Sequence, residues 1–327
     1  VKIAIVKLSA MGDLIHLGVF LPLLKELLPE LSITWVVDEA FAPLLENSPW
    51  IDTLYPLPLK RAWKSRDVRS LLEMARALGR LERFDRVIDA QGLLKSALIA
   101  SLIPAKERWG FDRASAKEGL GALFYHHGVN ISYKEHILKR NAKLLGESLG
   151  ISISKPLRLK EAFGYSKEAL ERVRVLLKVS PKKKILLVLE ASKSNKIYPK
   201  ERFLELARLC PEEVYLLWHN DPLSAEFIAC NHSDAILLPK LNLDEVKALV
   251  SLMDGVVGGD TGVTHLAWAM ERASVTLFGN TPLERFALEG ERNRALRAEG
   301  ASDYDKGDFS IAKISPLEVR ERIEEVL

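Results

Sequence analysis

Gly258-Gly259-Asp260-Thr261-Gly262-Val263-Thr264-His265 decides the fold. It follows Gly255-Val256-Val257, a short apolar run that reads as a buried strand. It precedes Leu266-Ala267-Trp268-Ala269-Met270, which reads as helix. A strand therefore ends, glycines make a tight turn and a helix begins. Free N–H groups at that helix start, with the positive end of its dipole, form a seat for a phosphate. Gly259 and Gly262 let backbone approach a ligand where a side chain would block it. Thr261 and Thr264 add hydroxyl donors, and His265 stands one turn in. The same pattern also fits an ordinary strand-to-helix connection with Thr as N-cap, and the stretch alone leaves both readings open.

Outward from this stretch the same strand–loop–helix unit recurs. Ile185-Leu186-Leu187-Val188-Leu189 is a buried strand, followed by the loop Glu190-Ala191-Ser192-Lys193-Ser194-Asn195-Lys196 and a helix over 200–209. Ser192, Lys193, Ser194 and Lys196 can give hydrogen bonds and positive charge to a diphosphate, although two loop lysines are weak testimony alone. Strands at 214–218, 235–238 and 274–279 alternate with helices over 223–230 and 244–253, and a last helix covers 316–327.

The first half repeats the scheme. Val1-Lys2-Ile3-Ala4-Ile5-Val6 is apolar and β-branched, as a strand buried on both faces should be. Lys7 to Asp13 reads as a loop and 14–28 as a helix, with Pro22 marking a start or kink. Asp13 then lies where doubly wound sheets bind ligands, but an aspartate there serves equally as a helix cap. A strand at 84–89 leads into Asp89-Ala90-Gln91-Gly92-Leu93-Leu94-Lys95-Ser96, where Asp89 is also a cap candidate. The run Lys60-Arg61-Ala62-Trp63-Lys64-Ser65-Arg66 reads as a solvated face or as a seat for an anionic ligand. His126-His127 lacks the i, i+4 spacing of a helical metal pair and reads as surface loop.

A chain of 327 residues suits two domains. The expected division is 1–155 and 160–312, with a C-terminal helix at 313–327 for which return to the first domain is open. Net charge of +3 gives no general nucleic-acid signature. Cys210 and Cys230 lack CxxC spacing, which argues against a zinc site or disulfide scaffold and suits a reducing compartment. No apolar run reaches the roughly 18–20 residues of a membrane span. The expectation is a cytoplasmic, soluble α/β protein of two doubly wound, Rossmann-like domains facing across a cleft.

Three motifs in order, Lys7-Leu8-Ser9-Ala10-Met11-Gly12-Asp13, Asp89-Ala90-Gln91-Gly92-Leu93-Leu94-Lys95-Ser96 and Asp260-Thr261-Gly262-Val263-Thr264-His265, resemble the ADP-heptose:Kdo heptosyltransferases of lipopolysaccharide synthesis, type I. The resemblance runs along nearly the whole chain. It implies a GT-B fold and an inverting, metal-independent transfer of L-glycero-D-manno-heptose from ADP-heptose to Kdo2-lipid A, with no cofactor. It implies Asp13 as general base and Ser192, Lys193, Lys196, Glu226, Asp260, Thr261, Gly262 and His265 on the donor. Acceptor contacts fall on Lys7, Arg61, Lys64, Arg66, Gln91, Gly92 and Lys117, within a domain that binds acceptor while the second binds donor. Membrane contact would be peripheral, at the cytoplasmic face of the inner membrane.

The chain also departs from the family pattern. Glu190-Ala191-Ser192-Lys193 stands where members often carry His-Ala-Thr-Thr, in a loop one residue shorter. Glu226 is nearest to the donor-side glutamate, but the simplest pairing puts Ser224 there. Lys117 replaces an arginine and loses its bidentate geometry. The competing readings are a sister transferase such as type II, a nucleotide-sugar epimerase on the same fold, and a non-catalytic nucleotide or glycolipid binder. An epimerase needs further acid/base groups around the sugar, and the sequence shows no clear set.

Overall fold

Strands β1 (Lys2–Val6), β2 (Ser32–Asp38), β3 (Thr53–Leu57), β4 (Phe84–Asp89), β5 (Ala105–Phe111) and β6 (His127–Val129) form one sheet in the order β3-β2-β1-β4-β5-β6. Strands β7 (Lys184–Val188), β8 (Glu213–Leu217), β9 (Ile236–Leu237), β10 (Gly255–Gly259), β11 (Ala273–Phe278) and β12 (Asn293–Arg297) form a second, in the order β12-β11-β10-β7-β8-β9. Every pairing in both sheets is parallel. Counted from its own first strand, each sheet has the same doubly wound order. The computed structural model describes residues 1–59, 68–156 and 162–327, which divide into the units Val1–Gly164 and Tyr165–Leu327.

Parallel strands carry helices on both faces, so their sequences are apolar almost without break. Ile3, Ala4, Ile5 and Val6 in β1, and Ile185, Leu186 and Leu187 in β7, are completely buried. In each sheet the connections leave the first strand toward one edge and later cross to its other side. That reversal lies between β1 and β4 in the first unit and between β7 and β10 in the second. Loops leaving these strand pairs splay apart, which is why such folds bind ligands there. All three sequence motifs leave these strands: Lys7 after β1, Gln91 after β4, Asp260 after β10.

The structure departs from the expected elements in the helix over 14–28 and at two edge strands. The single helix over 14–28 is two helices, Met11–Gly18 and Leu21–Leu27, with Pro22 in the first turn of the second, where a missing N–H costs nothing. The first helix therefore starts at Met11, and Asp13 lies in its first turn rather than in a loop. Strands β6 and β12 were not expected. Both are edge strands, one only three residues long and the other, Asn-Arg-Ala-Leu-Arg, too polar to read as a buried run.

The boundary between units falls at Gly164, because Ala162 and Phe163 are buried in the first unit. A Cβ on Gly18 would stand 2.8 Å from Phe163 Cζ, so that ring occupies the space a side chain would need. The C-terminal helix Pro316–Val326 belongs to the second unit. It packs on β11 and on the helix Lys200–Leu209, burying Val319, Ile323 and Val326 in the second unit's core. Arg320 fastens it to Glu212 at 2.7 Å. Among the described residues no helix is long and apolar enough to cross a membrane.

Candidate functional site

In the second unit the loops after β7 and β10 meet around one carboxylate. Asp260 follows β10 directly, and its backbone N–H donates to Leu277 O at 3.1 Å. Its Oδ2 accepts from Lys196 Nζ at 2.5 Å, and its Oδ1 lies 2.8 Å from His265 Nε2. The Asp260 side chain is 7% exposed and His265 is 5%. Burial pushes the Asp260 pKa up, but the His265 hydrogen bond and the charges of His265 and Lys196 outweigh it, so the carboxyl stays well below the usual range. A carboxylate offers about four lone-pair sites, so two remain for a ligand.

His265 reaches Asp260 because the helix Gly262–Ala269 starts between them, with Thr261 as its N-cap residue. Thr264 Oγ1 shares its one O–H between Thr261 O at 2.9 Å and Gly259 O at 3.1 Å, and accepts from Thr261 N at 3.3 Å. This fixes the turn and leaves the first helical N–H groups without a partner inside the helix, as at any helix start.

The glycines before the turn serve the fold rather than a ligand. A Cβ on Gly259 would lie 2.2 Å from Lys196 O, and one on Gly258 would lie 2.8 Å from Val188 Cβ. The expected open approach at Gly259 is therefore filled by the loop that carries Lys196. Ser192 and Lys193 are exposed on that loop, before the short turn Ser194–Lys196. Buried Asn195 donates to Asp305 O at 3.2 Å, and Asn280, in the loop after β11, donates to the same oxygen at 2.9 Å.

Glu190, one of the departures from the family pattern, has a definite partner. Its carboxylate accepts from three successive N–H groups, His219 and Asn220 at 2.9 Å and Asp221 at 2.8 Å. It thus ties the β7 loop to the β8 loop. Glu226 is exposed in the first turn of the following helix Leu223–Asn231, and Ser224 is half-buried. Replacing Glu190 with alanine is expected to lower stability by about 1–2 kcal/mol, since three donors lose a charged acceptor but can turn to water. Urea unfolding checks the magnitude, and faster amide exchange at 219–221 checks the location.

In the first unit the loops after β1 and β4 are locked together. Lys7 is buried, and its Nζ donates to Ala90 O at 2.9 Å. Gln91 Oε1 accepts from Leu8 N at 2.9 Å and Ser9 N at 3.2 Å. Both expected acceptor residues are thus struts between loops in this structure. Trp35 Nε1 adds a bond to Lys7 O at 3.0 Å.

Asp89 is fully buried and is not the helix cap, which is Leu93. It accepts from Gln91 N, Gly92 N, Ser96 Oγ and Tyr125 Oη, at 2.8, 3.3, 2.7 and 2.6 Å. Burial raises its pKa in spite of these four donors. Gly92 has φ of +70°, a conformation that favours glycine. An ideal Cβ there would stand 4.0 Å from Lys117 N, so exposed Lys117 neighbours the Gly92 turn.

Asp13 is half-buried, and its Oδ2 accepts from Ala10 N at a long 3.4 Å. Arg61, Lys64 and Arg66 lie outside the described residues. Sequence reasoning missed Tyr125 and Trp35 as loop supports, and the only signal was their hydrogen-bonding tips on otherwise apolar bodies.

Residues 71–309 match the profile of glycosyltransferase family 9 (heptosyltransferase). The chain is 34% identical to lipopolysaccharide heptosyltransferase 1 of Campylobacter coli, over 99% of this chain and 98% of that one. It is 28% identical to the Escherichia coli K12 enzyme of the same name, over 91% and 93%. Among solved structures it is similar to E. coli heptosyltransferase WaaC with ADP, with a TM-score of 0.84 and 26% identity over the whole of both chains. It also resembles that enzyme with ADP-2-deoxy-2-fluoro heptose, with a TM-score of 0.80 and 27% identity over 99% of each chain. The two doubly wound units are those of the GT-B fold. With the family profile covering most of its length and a relative 34% identical along nearly the whole chain, the chain belongs to glycosyltransferase family 9, the heptosyltransferases, and is a glycosyltransferase of lipopolysaccharide synthesis.

Proposed function

We propose that this chain transfers L-glycero-D-manno-heptose from ADP-heptose to Kdo2-lipid A, with inversion and without a metal ion. The observation that carries the reading is the Lys196–Asp260–His265 cluster at the start of the helix Gly262–Ala269. It joins a lysine ammonium, an imidazole, a helix N-terminus and a carboxylate with spare acceptor sites. These suit, in turn, a diphosphate and the hydroxyls of a sugar. Relatives solved with ADP and with a fluorinated ADP-heptose support the choice of donor.

In this reading Ser192, Lys193, Lys196, Thr261, Gly262 and His265 hold the diphosphate, Asp260 the heptose hydroxyls, and Glu226 the outer part of the donor. Asp13 takes the proton from the acceptor hydroxyl as that oxygen attacks the anomeric carbon. The bond from that carbon to the diphosphate oxygen breaks on the opposite face, which inverts the centre, and ADP leaves with the electron pair. Lysine charge and helix-start N–H groups stabilise the leaving ADP. Lys7, Gln91, Gly92, Lys117, Arg61, Lys64 and Arg66 serve the acceptor, Lys7 and Gln91 by shaping the loops. Such an acceptor places the enzyme at the cytoplasmic face of the inner membrane.

The test is ADP release from ADP-heptose, with and without Kdo2-lipid A, in EDTA. Acceptor-dependent release that survives EDTA, with a heptosylated product by mass spectrometry, is expected. No release from folded protein overturns the reading and points to a sister transferase with another donor or acceptor. A second expectation concerns Arg61→Ala, which should weaken acceptor use more than ADP-heptose binding. Equal losses in the two KM values would remove Arg61 from the acceptor set.

A further inference from the structure

Gly119-Leu120-Gly121-Ala122-Leu123-Phe124 forms a 3₁₀ helix between β5 and β6. With three residues per turn, side chains three apart eclipse, so Leu120 and Leu123 share one face. They are 59% and 80% exposed. Gly121 is buried on the helix Leu94–Leu102, where a Cβ would meet Ala97 Cβ at 3.3 Å and Leu93 O at 3.5 Å. The short helix is thus docked through its glycine, and its two leucines are left to solvent.

The charges around this face are uneven. Arg113 and Lys117 are both exposed. Arg113 packs at the start of the short helix, since a Cβ on Gly119 would lie 3.0 Å from Arg113 Cγ. The one acid in the segment from Arg113 to Phe124 is Glu118. Its carboxylate accepts from Leu94 N at 2.7 Å, at the N-terminus of the helix beneath. The face is therefore a leucine pair with two exposed cations close by in the chain, and the one negative charge of that segment is already engaged.

We propose that this face docks on an anionic lipid surface. Two leucines are far short of the roughly 1,000 Å² that a specific protein interface buries. A lipid surface asks less: a few inserted apolar side chains with cations at headgroup level suffice for reversible attachment. The Gly92 turn, beside Lys117, stands next to this face. A membrane-anchored acceptor would then be met where the enzyme touches the bilayer, a consequence that rests on the proposed function, whereas lipid binding itself does not.

The full chain is sedimented with vesicles of phosphatidylcholine alone or with added phosphatidylglycerol, in the absence of donor and acceptor. Binding to the anionic vesicles that weakens with salt is expected. The double change Leu120→Ser with Leu123→Ser should reduce partitioning by ~10-fold or more, and Arg113→Ser alone by about fivefold. Both changes are at exposed positions, and matching thermal unfolding curves confirm that the fold is kept.

ADP release with detergent-dispersed acceptor should be unchanged in the double variant and reduced with vesicle-embedded acceptor. Equal vesicle binding by wild type and both variants overturns the proposal. So does a wild-type dimer in solution that the double change makes monomeric, since a second copy would then be the occupant. A chain that binds vesicles as described but transfers no heptose leaves this inference standing and removes the proposed reaction.

Discussion

Asp13→Ala is expected to lower heptose transfer by ~10²–10⁴-fold, the usual loss when a general base is removed, with ADP binding retained. The side chain's surroundings make the test sharp. Among the described residues its one hydrogen bond, accepted from Ala10 N, is 3.4 Å long, at the weak end for such contacts. Asp89, by contrast, is consumed by four donors within the fold. The Asp13 carboxylate keeps most of its acceptor capacity for a substrate.

Its structural role is small. A carboxylate in the first turn of a helix contributes about 0.3–1 kcal/mol through the dipole, too little for its loss to unfold the unit. Asp13→Asn separates the two roles, because the amide keeps the shape and an acceptor oxygen but cannot take a proton. Asparagine as inactive as alanine supports the base. Near-normal turnover in Asp13→Asn would sink the assignment and leave a helix cap.

Asp260→Asn should weaken both the fold of the second unit and the reaction. Breaking one side of a buried pair commonly costs about 3–5 kcal/mol, because the partner charge is left without compensation. The loss here should fall near the lower end of that ~3–5 kcal/mol range, since Lys196 keeps a fifth of its side chain exposed and can turn to water. Urea unfolding of the second unit measures it.

The pH dependence has a definite sign. Folding lowers the Asp260 pKa, so the unfolded chain binds the proton more tightly. The stabilisation is complete above the ordinary aspartate pKa of about 4 and is lost as pH falls from there toward the folded value. Asp260→Asn should therefore be less stable at neutral pH and should converge on wild type in acid. An equal gap at all pH values would show that geometry rather than charge holds the cluster.

The sequence was most legible where strands are buried on both faces. Uninterrupted runs such as Ile3 to Val6 have few other readings, and they located both units. Edge strands β6 and β12 were hidden because β6 is short and mostly exposed while β12 carries an asparagine and two arginines, so the apolar signal is diluted.

Within the site, proximity across sequence was the illegible part. Nothing local to Lys7 says that its amine ends on Ala90 O. Gly259 reads as room for a ligand, yet the room is taken by the Lys196 carbonyl, from a loop far earlier in the chain. Glu190 reads as an odd residue in a phosphate loop, and only the fold shows three N–H groups converging on it.

The Phe163 ring over Gly18 bears on the order of events during synthesis. All six strands of the first sheet have left the ribosome once Val129 has emerged, and N-terminal domains generally fold as units while the rest is being made. Yet the residue that closes the packing over the first helix is nearly the last of its unit. The nascent unit therefore carries an open apolar notch beside Gly18 until the boundary itself has been translated. A fragment ended at 155 would keep that notch permanently, exposed to whatever apolar surface comes near.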